Sequence, residues 1–429
     1  MPDHNLADTL NRSCQCIAID QRKLEQSLAT AFAETGYYAR LRESHPNLLA
    51  EFPIFVAREH IAAMQAVISA IEHVVSLAPY RDTVLAWAPD IARYTDASHG
   101  VFFGYDFHLT TDGPRLIEVN TNAGGALLLQ HVASAQQACC REVGDFFPGP
   151  KEVDDMERVF VDMFREEFRT HRPDDELACV AIVDEDPQAQ YLSPEFDLFR
   201  EMFAGHGIEA LILDPRELAL RDNKLIANGR TVDLVYNRLT DFYLQSQASA
   251  TLREALEAGA AVFTPAPRAH ALYANKRNLT VLSDEGALRA MGVPDDVVEI
   301  LSAVVPRTVL VGADNAAELW TDRRHLFFKP ASGYGSRGTY KGAKLTKKTW
   351  SSILQSDYVA QALVPPGERL LVTDGAMQSF KVDIRCYVYR GEIQLLGARM
   401  YRGQTTNFRT TGGGLAAVFT TPWVGHSQP

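Results

Sequence analysis

Apolar residues recur at helical spacing from Phe55 to Leu77: Ile61, Met64, Val67, Ile68, Ile71 and Val75. A stripe of that period predicts one amphipathic helix. The chain reads as helical up to about residue 95. From Val101 the period changes. VFFGYDFHL is short, aromatic and β-branched, TTDGP is a turn, and RLIEVN is a second short run. Strand, Asp-Gly turn, strand predicts a β-hairpin. TNAGGALL then leads into an apolar helix running toward Cys140.

FFPGPKEVDD reads as a connection, and residues 154–170 as a helix. LACVAIV is a buried-strand pattern. SPEFDLFREMFAGHG is a helix with Ser193 as N-cap and Pro194 at its first position. IEALILD, the hairpin KLIANGRTV and the strand DLVYNRL follow. Strand, helix, strand predicts a small parallel α/β domain over about 175–265. LFFKP is a strand ending at Lys329-Pro330, SGYGSRGTYKGAK a basic glycine-rich loop, and YVAQALV another strand. FKVDIRCYVYRGEIQLLGARMYR is a long hairpin turned at Arg390-Gly391, and the tail TTNFRTTGGGLAAVF is again glycine-rich. There is no internal repeat and no low-complexity tract.

The 429 residues carry 42 Lys plus Arg against 54 Asp plus Glu, a formal net charge of −12. That balance argues against a general nucleic-acid binder, whose affinity comes from neutralising phosphates. It leaves room for a local phosphate site. At roughly 150 residues per domain the length suits two or three domains, and hydrophobic residues at 46% are ordinary globular composition. The six cysteines form no disulfide framework and no C-x-x-C zinc pair. With no signal-peptide pattern at MPDHNLADTL and no apolar run of about 18 residues, a cytoplasmic chain without a membrane span is expected.

Several groups carry candidate chemistry. Gly333, Gly335 and Gly338 follow Lys329 with Ser336 and Arg337 between them. Thr339-Tyr340-Lys341-Gly342 is a poor helix start, so this loop is expected to join two strands as a lid. Its glycines let backbone N–H groups approach phosphate oxygens. Glu118 and Asn120 lie two apart and share a strand face, with Asp106 on the hairpin partner. Two carboxylates and an amide oxygen suit Mg²⁺. Asp383 and Arg385 repeat that spacing, and Arg385 is suited to a transferring phosphoryl group. Asn407, Arg409 and Gly412-Gly413-Gly414 form a further loop, while Lys276 lies where a helix starts. No Walker A, G-x-S-x-G or H-E-x-x-H signature is present.

Together these segments resemble the ATP-grasp superfamily of ligases. GYDFHLTTDGPRLIEVNTNAGG resembles the metal segment of D-alanine–D-alanine ligases, which implies Asp106, Glu118 and Asn120 as Mg²⁺ ligands. ANKRNLTVLSD resembles the segment with the first ATP lysine, Lys276. LFFKPASGYGSRG resembles the second, Lys329, and its phosphate-covering loop. YVAQALVPP resembles the adenine hinge, with Gln361 where many members have an acid and Leu363 offering backbone groups to the base. FKVDIRCYV resembles the strand that carries the arginine, here Arg385. The Glu-x-Asn segment precedes both lysines, an order similar to the permuted, eukaryotic-type glutathione synthetases. There are departures: Ala331-Ser332 stand where that group has a loop acid, and Gly104 where D-alanine ligases have an arginine.

The resemblance implies an α/β (α+β ATP-grasp) fold, with two α+β lobes clasping ATP. The expected division is an N-terminal helical region (1–100), a metal-binding hairpin and helix (101–150), an inserted parallel α/β substrate domain (175–265) and the lysines, lid and C-terminal core (266–429). It implies an ADP-forming carboxylate–amine ligase acting through an acyl phosphate, with small-molecule carboxylate and amine substrates such as amino acids or small peptides. Lys329, Arg385 and Arg409 would act in catalysis. Arg238 and Arg409 are the candidates for holding the substrate carboxylate, and a homodimer is the family analogy. A small-molecule kinase, or a non-catalytic nucleotide-binding regulator, would use the same scaffold.

Overall fold

The computed structural model describes residues 4–32, 36–94, 98–138, 156–333, 335, 337–373 and 375–421. Among them, fifteen strands form the three larger sheets. They are β1 (Ile54–Ala57), β2 (Phe103–Thr110), β3 (Gly113–Asn120), β4 (Cys179–Val183), β5 (Glu209–Leu213), β6 (Leu234–Asn237), β7 (Val262–Thr264), β8 (Thr308–Leu310), β9 (Leu326–Pro330), β10 (Tyr340–Lys341), β11 (Tyr358–Ala362), β12 (Gly367–Thr373), β13 (Ala376–Tyr389), β14 (Glu392–Tyr401) and β15 (Gly414–Thr421). Four helices matter most for the site: α1 (His4–Ser13), α2 (Arg58–Ser76), α3 (Ala126–Ser134) and α4 (Ser193–Gly205).

The seven-stranded sheet runs β1-β15-β14-β13-β2-β3, with β12 also paired to β13. Its two faces differ because side chains alternate along a strand. On one face Tyr105, Phe107, Ile384, Cys386, Ala398 and Met400 join the main core. The stripe Met64, Val67, Ile68, Ile71 and Val75 of α2 packs into that same core. The other face carries Asp106, Glu118, Asp383 and Arg399, which line a cavity. The four-stranded antiparallel sheet β8-β11-β9-β10 supplies the opposite wall. There Phe328 and Ala360 are core, packed with Trp350 and Ile353, while Phe327, Lys329 and Gln361 face the cavity.

The third sheet, β7-β6-β4-β5, is wholly parallel, as the strand–helix–strand pattern predicted. The long hairpin turns at Arg390-Gly391 as expected, both with positive φ. The glycine-rich loop joins antiparallel strands β9 and β10, as its poor helix start predicted.

Several expectations are corrected. The N-terminal region is not wholly helical, since Phe55 lies in β1, which pairs parallel with β15, and α2 begins only at Arg58. Ser193 opens α4 but caps nothing; Leu192 is the N-cap and no side chain bonds there. FFPGPKEVDD lies outside the described residues, and the helix after it runs Met156–His171. The N-terminal α1 is tied down by Arg369 of β12, which is fully buried and donates to the carbonyls of Asn11 (2.8 Å) and Pro53 (3.2 Å). Burial without a carboxylate partner draws that guanidinium down to about 10. Among the described residues no single helix is long and apolar enough to cross a membrane.

Candidate functional site

The cavity between the two sheets has a volume of about 730 Å³. Its floor is the β2–β3 hairpin. A bulge between Asp106 and Phe107 shifts the register, so that Asp106 stands opposite Glu118. Without it Asp106 would face Ile117 and the two carboxylates would point apart. Asn120 turns its amide nitrogen toward both, 3.1 Å from Asp106 Oδ2 and 3.4 Å from Glu118 Oε1.

Asp106 is held more completely than the sequence suggested. Arg385 donates Nε to Oδ1 and Nη2 to Oδ2, each at 2.7 Å. Arg399 Nη2 reaches the same Oδ2 at 2.9 Å. Both carboxylate oxygens are thus engaged by cations, which differs from the expected role of a metal ligand. Burial opposes the charge on Arg385, but Asp106 outweighs it and raises the guanidinium above its ordinary range.

Arg399 was missed in the sequence, together with the network it joins. It also donates to Asp383 Oδ2 at 3.2 Å. Asp383 further accepts from Tyr401 (2.9 Å), from His108 Nε2 (3.0 Å) and, by a short bond, from Thr406. Burial opposes ionisation of Asp383, but the His108 bond and Arg399 hold its carboxyl down at about 2. The hairpin register placed Asp383 opposite Arg399 only after a bulge between Tyr387 and Val388. Counting back from the Arg390-Gly391 turn without that bulge pairs Asp383 with Ala398, so the sequence signal pointed to the wrong face.

The two expected lysines reach the floor from different directions. Lys276 Nζ donates to the Gly333 carbonyl at 2.9 Å and lies 3.6 Å from Glu118 Oε2. Lys329 Nζ donates to the Ile117 carbonyl at 2.9 Å and to Gln361 Oε1 at 2.8 Å. Burial draws Lys329 down to about 8, against the pull of Glu118. Burial likewise resists charge on Glu118, yet Lys276, Lys329, Arg399 and Arg385 prevail and set its carboxyl at about 2. Glu118 therefore stays an ionised, hard-oxygen donor in a strongly positive surround.

The loop contributes Gly333, Gly335 and Arg337 to the cavity wall. Gly335 and Gly338 adopt positive φ, which a side chain would strain. Gly338 packs outside the cavity, its carbonyl accepting from Tyr358. Ser336 lies outside the described residues. At the hinge, Gln361 supports Lys329 directly. Leu363 differs from expectation, because its N–H is already donated to the His325 carbonyl at 2.7 Å. Val364, which also lines the cavity, has no such bond among the described residues.

Two expected arginines stand elsewhere. Arg409 is exposed and does not line the cavity. Arg238 is buried at the C-terminal end of β6, where it donates to the Asn122 carbonyl and Tyr236 hydroxyl, each at 3.0 Å. Beside it, Glu195 of α4 accepts the Gly125 N–H at 2.8 Å and the Leu127 N–H at 3.2 Å, capping α3. This joins the parallel sheet to the loop after Asn120.

Among the described residues no group of three or more His, Cys, Asp or Glu side chains is arranged to hold a metal. Glu118 still fits a Mg²⁺ that keeps waters and takes its other oxygens from a phosphate, and Asn120 would join it only by turning its amide oxygen to where its nitrogen now faces Glu118. Asp106 fits that set poorly while two arginines occupy it.

No family model matches the chain, and no curated protein does. Solved structures are similar. A glutathione synthetase-like effector from Globodera pallida, in its apo form, is 14% identical, with 93% of this chain and 97% of that one covered and a TM-score of 0.56. D-alanyl-alanine synthetase A from Vibrio cholerae is 12% identical, over 51% of this chain and 69% of that one, at a TM-score of 0.29. The ATP-grasp ligase PsnB, complexed with minimal precursor, Mg and ADP, is 15% identical, over 56% and 87%, at 0.29. The last two are too distant to carry an argument, and the first speaks for the fold alone. The fold is similar to that of the glutathione synthetase-like effector.

Proposed function

We propose that this chain is an ADP-forming carboxylate–amine ligase that uses Mg-ATP. The observation that carries the reading is the cavity itself. Its facing walls bring Lys276, Lys329, Gly333 and Gly335 against Glu118, with Arg399 beside Asp106. A triphosphate suits that surround: in binding, it would take the two lysines from the Gly333 and Ile117 carbonyls they now hold.

In this reading a substrate carboxylate oxygen attacks the γ-phosphorus of ATP, and ADP leaves. An amine then attacks the acyl carbon, and phosphate leaves as the amide forms with loss of a proton. The protein supplies position and charge rather than a nucleophile. Lys276 and Lys329 hold phosphate oxygens. Arg385 and Arg399, aligned by Asp106 and Asp383, stabilise charge on the transferring group. Glu118 and Asn120 would hold Mg²⁺, which neutralises phosphate charge when bound. Asp106 acts as the positioning partner of the two arginines, and the glycine loop keeps water from the acyl phosphate. The substrates are small molecules or short peptides with a free carboxylate or amine.

The test is ADP release from Mg-ATP in the presence of pooled amino acids and short peptides. Release that depends on a component of the pool supports a ligase. A phosphorylated product that persists would instead mark a kinase.

A further inference from the structure

Residues 362–366 form the hinge between the two walls. Ala362 donates its N–H to the Arg307 carbonyl (2.8 Å) and Leu363 to that of His325 (2.7 Å). Pro365 and Pro366 have no N–H. Val364 therefore carries the one hinge N–H without a partner among the described residues, and Val364 lines the cavity.

Val364 is fixed on both sides. Before it stands the Leu363–His325 bond; after it, Pro365 restricts its backbone to extended conformations. Its own carbonyl is held by His108 Nδ1 at 2.9 Å. The other ring nitrogen, Nε2, lies 3.0 Å from Asp383 Oδ1. A carbonyl only accepts, so Nδ1 is the donor to Val364. His108 belongs to β2 of the seven-stranded sheet and Val364 follows β11 of the other, so this bond crosses between the lobes. It also runs through Asp383 to Arg399, and from Arg399 to Asp106.

We infer that His108 is a positioning residue for the nucleobase: it anchors the Val364 carbonyl and so presents the Val364 N–H to the ring. This rests on the reading of the cavity as an ATP site. A single N–H requires an acceptor in line with it on the edge of the base. Adenine offers one at N1, whereas guanine presents a hydrogen there. His108 thereby ties base selection to the carboxylate that also orients Arg399.

The test is calorimetric binding of ATP, GTP and inorganic tripolyphosphate to the wild-type protein, His108→Ala and His108→Gln, with thermal melting to confirm folding. Tripolyphosphate has no base and reads the phosphate end alone. In His108→Ala, ATP should weaken by about tenfold, the scale of one lost, well-placed hydrogen bond. Tripolyphosphate should stay within about twofold and the preference for ATP over GTP should shrink. His108→Gln, keeping one donor group, should fall between. A structural role alone would weaken ATP and tripolyphosphate alike, and that result would overturn the inference. Unchanged ATP affinity and preference in folded His108 variants would overturn it too, while leaving the ATP reading intact. Wild-type protein that binds no ATP would overturn both.

Discussion

Asp106 and Arg385 face each other across adjacent strands and are joined by two parallel hydrogen bonds of 2.7 Å. Asp106 is almost wholly buried and Arg399 is its second cation. Removing one partner of a buried pair leaves charge unpaired and costs about 3–5 kcal/mol. Asp106→Ala should therefore lower the unfolding free energy by about that amount in urea titration. A site whose main task is to bind metal would behave differently. Without metal, loss of one of its carboxylates would leave stability nearly unchanged.

Lys329 is drawn down to about 8 by burial, against the opposing charge of Glu118. A lysine depressed in the folded state weakens the fold while both states are protonated. That penalty fades as pH rises from about 8 toward its unfolded value. Phosphate binding runs the other way, because the ammonium is lost. ATP affinity should fall as pH rises through about 8, and Lys329→Arg should abolish that fall. Lys329→Ala should bind ATP poorly at every pH. Normal turnover in that variant would rule out its phosphate role.

Glu118 is held at about 2 because four cations outweigh its burial. A carboxyl depressed in this way stabilises fully above its unfolded range and loses that contribution as pH falls toward about 2. Glu118→Gln should flatten the acid side of the stability curve in pH-dependent unfolding. It should also shift the Mg²⁺ requirement for turnover by about tenfold or more, the cost of a lost ligand contact. An unchanged magnesium titration would remove Glu118 from the ligand set.

Arg399 spans two carboxylates, Asp106 and Asp383, through one nitrogen. A lysine keeps the charge but not the planar fork that fixes it. Arg399→Lys should cut turnover by about a hundredfold, with ATP binding within a few-fold, because its charge matters most where negative charge develops. Equal losses in both would place Arg399 in ground-state binding.

Much of this arrangement was legible in the sequence. Short strand-like runs on either side of Asp-Gly and Arg-Gly turns marked both hairpins, and strand–helix–strand spacing marked the parallel sheet. The glycine loop was read correctly as joining strands, because nothing after Gly338 starts a helix. What stayed hidden depends on partners distant in sequence. β1 is four residues long, too short for a period, and its partner β15 lies at the far end of the chain. Arg399 was concealed by a bulge that leaves no mark in composition. The roles of Leu363 and Val364 turn on which N–H the carbonyl of His325 takes. His108 was a lone histidine until the fold set it between a carbonyl and a carboxylate.

The proposed chemistry is activation of a carboxylate as an acyl phosphate between these two walls. Hydroxylamine tests it most directly, because it attacks an acyl phosphate and leaves a hydroxamate that can be weighed. With Mg-ATP and a pool of carboxylates, ADP and a hydroxamate should appear in matching amounts, both lost in Lys329→Ala. ADP accompanied by a stable phosphorylated product and no hydroxamate would contradict it.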